Sequence, residues 1–388
     1  MLSTKRIFES WALKRNVLLY GPPGTGKTRF LSELYNQVRS GETSSRDLIA
    51  NPENPLLPLA YNTSNDERIP GPIKTYWATF HQSFGYEDFL LGYRPTLTDG
   101  GVILQPHAGI LLDAILELSD AESNYQSVVI FIDEVNRANA SRVFGEFMTF
   151  LDFDYREAGS IALPMPLRQL AYKDGKSEKI HRLDGSLATL ESGFKFPEHI
   201  YIVATMNSVD RSAVPIDSAL ARRFNRIEMA PERSVLESIW GVQPHNSIKA
   251  DEEYTAHEVA LRLFDSLNAQ IANDLGAEFE LGHGLFLGIS GSQSKAELDQ
   301  ESSNRSWLDL ARVWDDVLFP QLEDRYAGRP DALLNVLRIS EFTGSDYVWK
   351  LRNVPSQDGS IRTLERTQVS ANPLDNIKRS FKLLVSDQ

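Results

Sequence analysis

Short apolar runs alternate with stretches of helical periodicity through the first 230 residues. Residues 16–20 (NVLLY), 128–132 (VVIFI) and 199–205 (HIYIVAT) are nearly unbroken apolar segments, the pattern of strands buried on both faces of a sheet. Residues 74–80 (KTYWATF), rich in threonine and aromatics, read as a fourth strand, and 226–229 as a fifth. Between them, Phe30, Leu31, Leu34 and Val38 recur at helical spacing and predict a helix over 27–38. Further helices are predicted over 108–118, 139–152 and 217–223. Residues 41–72 carry NPENPLLP and IPGP and predict an irregular insertion; 156–198, with several Gly and Pro, predict a second insertion of hairpins or loops.

After Pro231 the pattern changes. T-A-H-E at 255–258 is a capping-box sequence, and Val259, Leu263, Leu267 and Ile271 share one face of the helix it opens. Leu310, Val313, Trp314 and Val317 form the stripe of a helix over 306–319, and Pro330 is placed to open another over 331–338. The tail at 377–385 (IKRSFKLLV) reads as a short surface helix or an interaction helix. Strands alternating with helices, then a helical tail, predict an α/β fold: a parallel five-stranded sheet between helices over 1–230, then a smaller, mainly helical lid over 231–388.

Composition narrows the function. A net charge of −13 argues against a body that binds nucleic acid by bulk electrostatics, although local basic patches are compatible with it. The absence of cysteine excludes disulfides and thiolate metal sites. The first 16 residues lack the apolar core of a signal peptide, and no apolar run approaches the roughly 20 residues that span a bilayer. The expected setting is the cytoplasm, without a membrane.

The chemistry concentrates at the ends of the predicted strands. Gly21, Pro22, Gly24, Thr25, Gly26, Lys27 and Thr28 belong to a G-x-x-x-x-G-K-[ST] segment that lies between a strand and a helix. Glycines there let backbone N–H groups turn toward phosphates, and the helix N-terminus adds partial positive charge. Lys27 would reach the β and γ phosphates, and Thr28 would ligate Mg²⁺. Asp133 and Glu134 directly follow the VVIFI run, where a parallel sheet presents its ligands; Asp133 suits the Mg²⁺ shell and Glu134 the polarisation of an attacking water. Asn207 follows the HIYIVAT run and suits a γ-phosphate sensor, or else an Asx turn. Arg222 and Arg223 end the next helix, as arginine fingers for a neighbouring subunit or as a plain C-terminal charge pair.

These elements together resemble the AAA+ type of P-loop nucleotide hydrolase. Residues 80–95 (FHQSFGYEDFLLGYRP), 133–139 (DEVNRAN), 206–212 (MNSVDRS), 216–224 (IDSALARRF), 281–286 (LGHGLF) and 314–326 (WDDVLFPQLEDRY) are similar to the McrB family. That family supplies the GTP-hydrolysing motor of McrBC modification-dependent restriction systems. The resemblance implies nucleotide and Mg²⁺ contacts at Lys27, Thr28 and Asp133, with Glu134 as base. It also implies sensing by Asn207 and trans contacts from Asp217, Arg222 and Arg223. Beyond the chain itself it implies a homo-oligomeric, hexameric ring, a McrC-like nuclease partner, and DNA engaged through the complex.

Two features depart from the family. McrB proteins commonly carry a DNA-reading domain ahead of the motor, whereas 20 residues precede Gly21 here, so a motor-only form, or targeting through a partner or the insertions, is expected. MNSVDR stands where the family usually has MNTADR, and neither is a guanine-reading N-K-x-D. The preference for GTP over ATP therefore rests on the resemblance. A MoxR-like ATPase chaperone acting on a protein client is the second reading, and a nucleotide-gated scaffold the third. Phe80, Phe84, Tyr86 and Phe89 are expected to pack a sheet edge or to stack on a base, His283 to touch nucleotide or fill a core, and Arg305 and Arg312 are positional candidates for a lid sensor.

Overall fold

A computed structural model describes residues 2–40, 72–98, 101–120, 122–156, 169–170, 178–190, 196–209, 216–245, 247–290, 299–339, 347–356, 359–365 and 368–386. The insertion expected over 41–72 lies outside the described residues except for residue 72, as do residues 210–212 of the MNSVDRS segment. The chain divides into two compact units, one of residues 2–20 with 27–229, the other of 21–26 with 230–388.

The first unit is built on a parallel sheet. Strands β1 (Asn16–Gly21), β2 (Ile73–Thr79), β5 (Ser127–Asp133), β8 (Ile200–Asn207) and β9 (Asn225–Glu228) lie in the order β2-β5-β8-β1-β9. Every residue of β5 is buried, because alternate side chains enter cores on opposite faces. Val129 and Phe131 pack with helices α1 (Thr4–Leu13) and α2 (Lys27–Arg39), through Ile7, Trp11, Leu31 and Leu34. Val128, Ile130 and Ile132 face the opposite core, which holds Leu111, Leu112 and Ile115 of the helix Ile110–Ser119. The sheet thus stands between helices, as the apolar runs predicted. The helix α1 lies outside the expected elements; Ser3 caps it, and Trp11 Nε1 donates to the Ile202 carbonyl at 3.0 Å.

A second sheet departs from the expected pattern. Strands β3 (Leu91–Thr98), β4 (Gly101–Ala108), β6 (Lys179–His181) and β7 (Leu187–Thr189) lie side by side in that order. The β6–β7 hairpin falls in the insertion expected over 156–198, but β3–β4 was not anticipated. Arg182, beyond β6, binds both Asp113 and Glu117 of the helix Ile110–Ser119, and Tyr76 Oη donates to Asp113 at 2.6 Å. Phe80 and Phe89 are buried with Phe84 packed against them, so these aromatics fill the core and do not form an open stacking surface.

The second unit is mainly helical. Thr255 Oγ1 accepts from the Glu258 N–H at 3.2 Å while Glu258 Oε2 accepts from the Thr255 N–H at 2.6 Å, the reciprocal cap expected for the helix Ala256–Asp274. The helix Gln300–Val313 runs through a π-helical turn, Trp314–Leu318, into Phe319–Arg325. Pro320 has no N–H to continue the α-helical ladder, and the wider turn precedes it. A hairpin of β10 (Leu351–Ser356) and β11 (Gly359–Leu364) interrupts the helices. The tail corrects the expectation of a surface helix: Leu374–Val385 buries Ile377, Phe381, Leu384 and Val385 in the lid core. Among the described residues no helix is long and apolar enough to cross a membrane.

Candidate active site

In the first unit, Lys27, Thr28, Asp133, Glu134 and Asn207 come together although they derive from three separate motifs. The main-sheet register sets Ile132 beside Ala204, so Asp133 leaves β5 next to Thr205 of β8. Asp133 Oδ1 accepts from Thr205 Oγ1 at 2.5 Å and from Thr28 Oγ1 at 3.1 Å. Thr205 Oγ1 in turn accepts from the Glu134 N–H at 3.1 Å. A residue that the sequence offered no role thus pins both carboxylate positions.

Glu134 adopts a left-handed backbone, φ 56° and ψ 48°, which a residue with a side chain enters only when its surroundings compel it. Asn207 Nδ2 donates to Glu134 Oε1 at 2.6 Å. The other oxygen, Oε2, is buried without a hydrogen bond and lies 3.5 Å from Arg137 Nε. Asn136 Nδ2 donates to the Asn207 carbonyl at 2.9 Å and so ties the end of β8 to the turn that follows Glu134. Nothing local in the sequence marked Asn136 for that contact beyond its place two residues after Glu134.

Lys27 opens α2 and is 6% exposed. Burial lowers its pKa to about 8, against the opposing pull of Glu134 and Asp133. Lys27 stands at the N-terminal end of α2, the end of a helix that can receive an anion.

The helix Ser218–Ala221 distinguishes its flanking residues. Asp217 caps it, Oδ1 accepting from the Ala219 N–H at 2.6 Å, and Oδ2 accepts from Ser141 Oγ at 3.3 Å. Arg223 is buried, with Nε on Asp152 Oδ2 at 2.9 Å and Nη1 donating to the Ala219 carbonyl at 2.8 Å. Arg222 is exposed, and its backbone carbonyl accepts from Lys14 Nζ. The adjacent arginines are therefore in different circumstances, one braced by contacts within the chain and one open to solvent.

In the second unit, the Gly21–Gly26 turn is packed against residues 282–285. Gly24 and Gly26 have φ of +81° and +83°. The Gly284 N–H donates to the Gly24 carbonyl at 2.8 Å, and a Cβ on Gly282 would stand 2.2 Å from the Gly24 carbonyl carbon. Glycine at 282 is thus required by the close approach of two backbones. Thr25 Oγ1 donates to the Pro22 carbonyl at 3.1 Å and closes the turn from within. His283 Nδ1 accepts from the Glu232 N–H at 3.2 Å, and burial holds the imidazole below its ordinary pKa. Of the candidate lid arginines, Arg312 pairs with Asp309 at 3.2 Å and Arg305 is exposed on the same helix.

Comparison with known proteins agrees with this architecture. Residues 71–224 match the family described as AAA domain (dynein-related subfamily), and residues 260–333 match McrB, alpha-helical lid domain. The chain is 28% identical over 332 residues to the Type IV methyl-directed restriction enzyme EcoKMcrB subunit of Escherichia coli (strain K12), covering 84% of this chain and 56% of that one. It is 25% identical over 235 residues to the Type II restriction enzyme BsuMI component YdiS of Bacillus subtilis (strain 168), covering 58% of this chain and 61% of that one. The chain therefore spans a little over half the length of these relatives. With an AAA-domain match over residues 71–224, which takes in β2, β5 and β8 of the main sheet, and an McrB-lid match over 260–333, the chain is an McrB-like AAA+ protein.

Proposed function

We propose that this chain is a Mg²⁺-dependent nucleoside triphosphatase, preferring GTP to ATP, that serves as the motor of a McrBC-like DNA restriction complex. The observation that carries the hydrolytic reading is the pairing of Glu134 with Asn207 beside Asp133 and Thr28. Glu134 Oε1 is held by the Asn207 amide and Oε2 lies 3.5 Å from Arg137 Nε, so the carboxylate is oriented from both sides to serve as base for an attacking water. Asn207 thereby links the base to the position where a γ-phosphate would be sensed.

Thr28 Oγ1 and Asp133 Oδ1 are hard oxygen donors 3.1 Å apart, a set that suits Mg²⁺ completed by phosphate oxygens and water. When bound, Mg²⁺ would neutralise charge on the β and γ phosphates. Lys27 would bind the same phosphates, and the 21–26 turn would cradle the chain of phosphates with its backbone N–H groups. Arg222, exposed and with no side-chain partner among the described residues, is the residue of the pair suited to act in trans on a neighbour's nucleotide. Arg223 and Asp217 would shape the helix that presents it. Shared sites of this kind call for a homo-oligomer, and a closed hexameric ring fits the reading.

The restriction context is supported by the names of the two relatives, each a component of a restriction enzyme. It favours a McrC-like nuclease subunit as partner, and DNA engaged through the complex, over the chaperone reading. The test is turnover of GTP and ATP by the purified chain with Mg²⁺, alone and with such a subunit. Faster GTP turnover, raised further by the subunit and lost in Glu134→Gln, is expected. Strong ATP preference would remove the GTP assignment, and wild-type turnover by Glu134→Gln would remove the catalytic one.

A further inference from the structure

The 281–286 segment bears a histidine between two glycines, and the glycines already have a role: they allow the backbone to lie against Gly24. The histidine is not needed for that approach. Its Nδ1 accepts from the Glu232 N–H, which places the ring proton on Nε2. Nε2 has no hydrogen-bond acceptor among the described residues. It is the nearest atom to the position that a Cβ on Gly26 would occupy, at 3.9 Å. His283 is 9% exposed, so its orientation is fixed by packing and by the Glu232 contact together.

A neutral imidazole held in one tautomer, with its remaining donor open beside a glycine of the phosphate loop, has the features of a recognition group. We propose that His283 is a positioning residue for the nucleotide, its Nε2–H donating to a phosphate oxygen of the chain held on the Gly24–Gly26 backbone. The proposal deepens the nucleotide-hydrolysis reading and rests on it. It assigns the lid a direct sense of the polyphosphate through a histidine in place of an arginine. Arg312 is engaged with Asp309, and the loop that carries His283 is tied to the turn by the Gly284–Gly24 hydrogen bond. Because the contact would be made in the ground state as well as during hydrolysis, its loss should appear in binding more than in the maximal rate.

The full chain would be titrated with fluorescent GDP and GTP analogues in the presence of Mg²⁺, and KM and kcat measured in parallel. His283→Phe keeps a planar ring but has no donor; His283→Gln keeps an amide donor at similar reach. A hydrogen bond to a charged phosphate predicts about tenfold weaker binding of both analogues by His283→Phe, with KM raised and kcat within about threefold. Recovery of most of that affinity in His283→Gln is expected. Wild-type affinity in His283→Phe overturns the proposal, because a purely packing role would be met by the ring alone. A loss in kcat with unchanged affinity overturns it as well. Lys27→Ala separates the two levels: if it also binds nucleotide as the wild type does, the nucleotide-site reading itself fails, whereas loss in Lys27→Ala with none in His283→Phe removes only the assignment of His283.

Discussion

Asn207 donates its side-chain amide to Glu134 across 2.6 Å, from the end of one parallel strand to the residue that follows its neighbour. The contact engages one carboxylate oxygen and leaves the other without a hydrogen bond. It explains why an amide, and not a second acid, suits position 207: a carboxylate there would repel Glu134 and raise the pKa of one member of the pair. The left-handed backbone at Glu134 points the same way, since strain of about 1–3 kcal/mol is retained only where the surroundings over-determine it.

Asn207→Ala should therefore lower turnover by roughly a hundredfold or more, the scale of a mispositioned general base. Nucleotide affinity should change little, because the phosphate-binding turn and Lys27 are intact. Asn207→Asp should be at least as damaging and should shift the acid limb of the pH–rate profile upward. Steady-state kinetics with a separate binding titration would check both. Turnover near the wild-type rate in Asn207→Ala would show that the 2.6 Å contact has no part in positioning the base.

The two consecutive arginines should behave differently. Arg223→Ala removes a contact to Asp152 and another to the Ala219 carbonyl from a buried site, and should cost about 1–2 kcal/mol of stability after allowance for the partly exposed carboxylate. In a chain of this size that corresponds to a fall in Tm of a few degrees. Arg222→Ala should leave Tm unchanged and lower oligomer-dependent turnover by about a thousandfold, the scale of a lost arginine finger. Thermal melts and turnover across protein concentration would separate them. A stability loss confined to Arg222→Ala would reverse the assignment.

The main sheet was legible because strands buried on both faces must be apolar throughout, and β5 shows that pattern without interruption. The cap at Thr255 was legible because all its contacts lie within three residues. The β3–β4 hairpin was not, since Leu97, Val102 and Leu104 are exposed and Pro95 and Pro106 break the usual strand signal. The tail helix misled for a related reason: periodicity gives a helix two faces but does not say what covers the apolar one, here the lid core. In the candidate site, each chemical residue type could be read from its motif. Thr205, Asn136 and the Arg223–Asp152 pair could not, because their partners are about 70 positions away or on another strand.

The low pKa of Lys27 gives the candidate site a pH dependence of known sign. Burial brings the amine to about 8, so it is mostly protonated at pH 7 and mostly neutral above pH 9. A polyphosphate favours the protonated form, and binding above pH 8 must then include uptake of a proton. Affinity for GDP or GTP should be nearly constant below pH 8 and fall above it, approaching about tenfold per pH unit. Lys27→Arg keeps its charge over the whole range and should bind with a flat profile, at whatever affinity its larger head permits. Titrations between pH 6.5 and 9.5, at fixed ionic strength, would measure the slope. A wild-type profile as flat as that of Lys27→Arg would mean that the amine keeps its ordinary pKa, and that the neighbouring carboxylates outweigh burial in setting its charge.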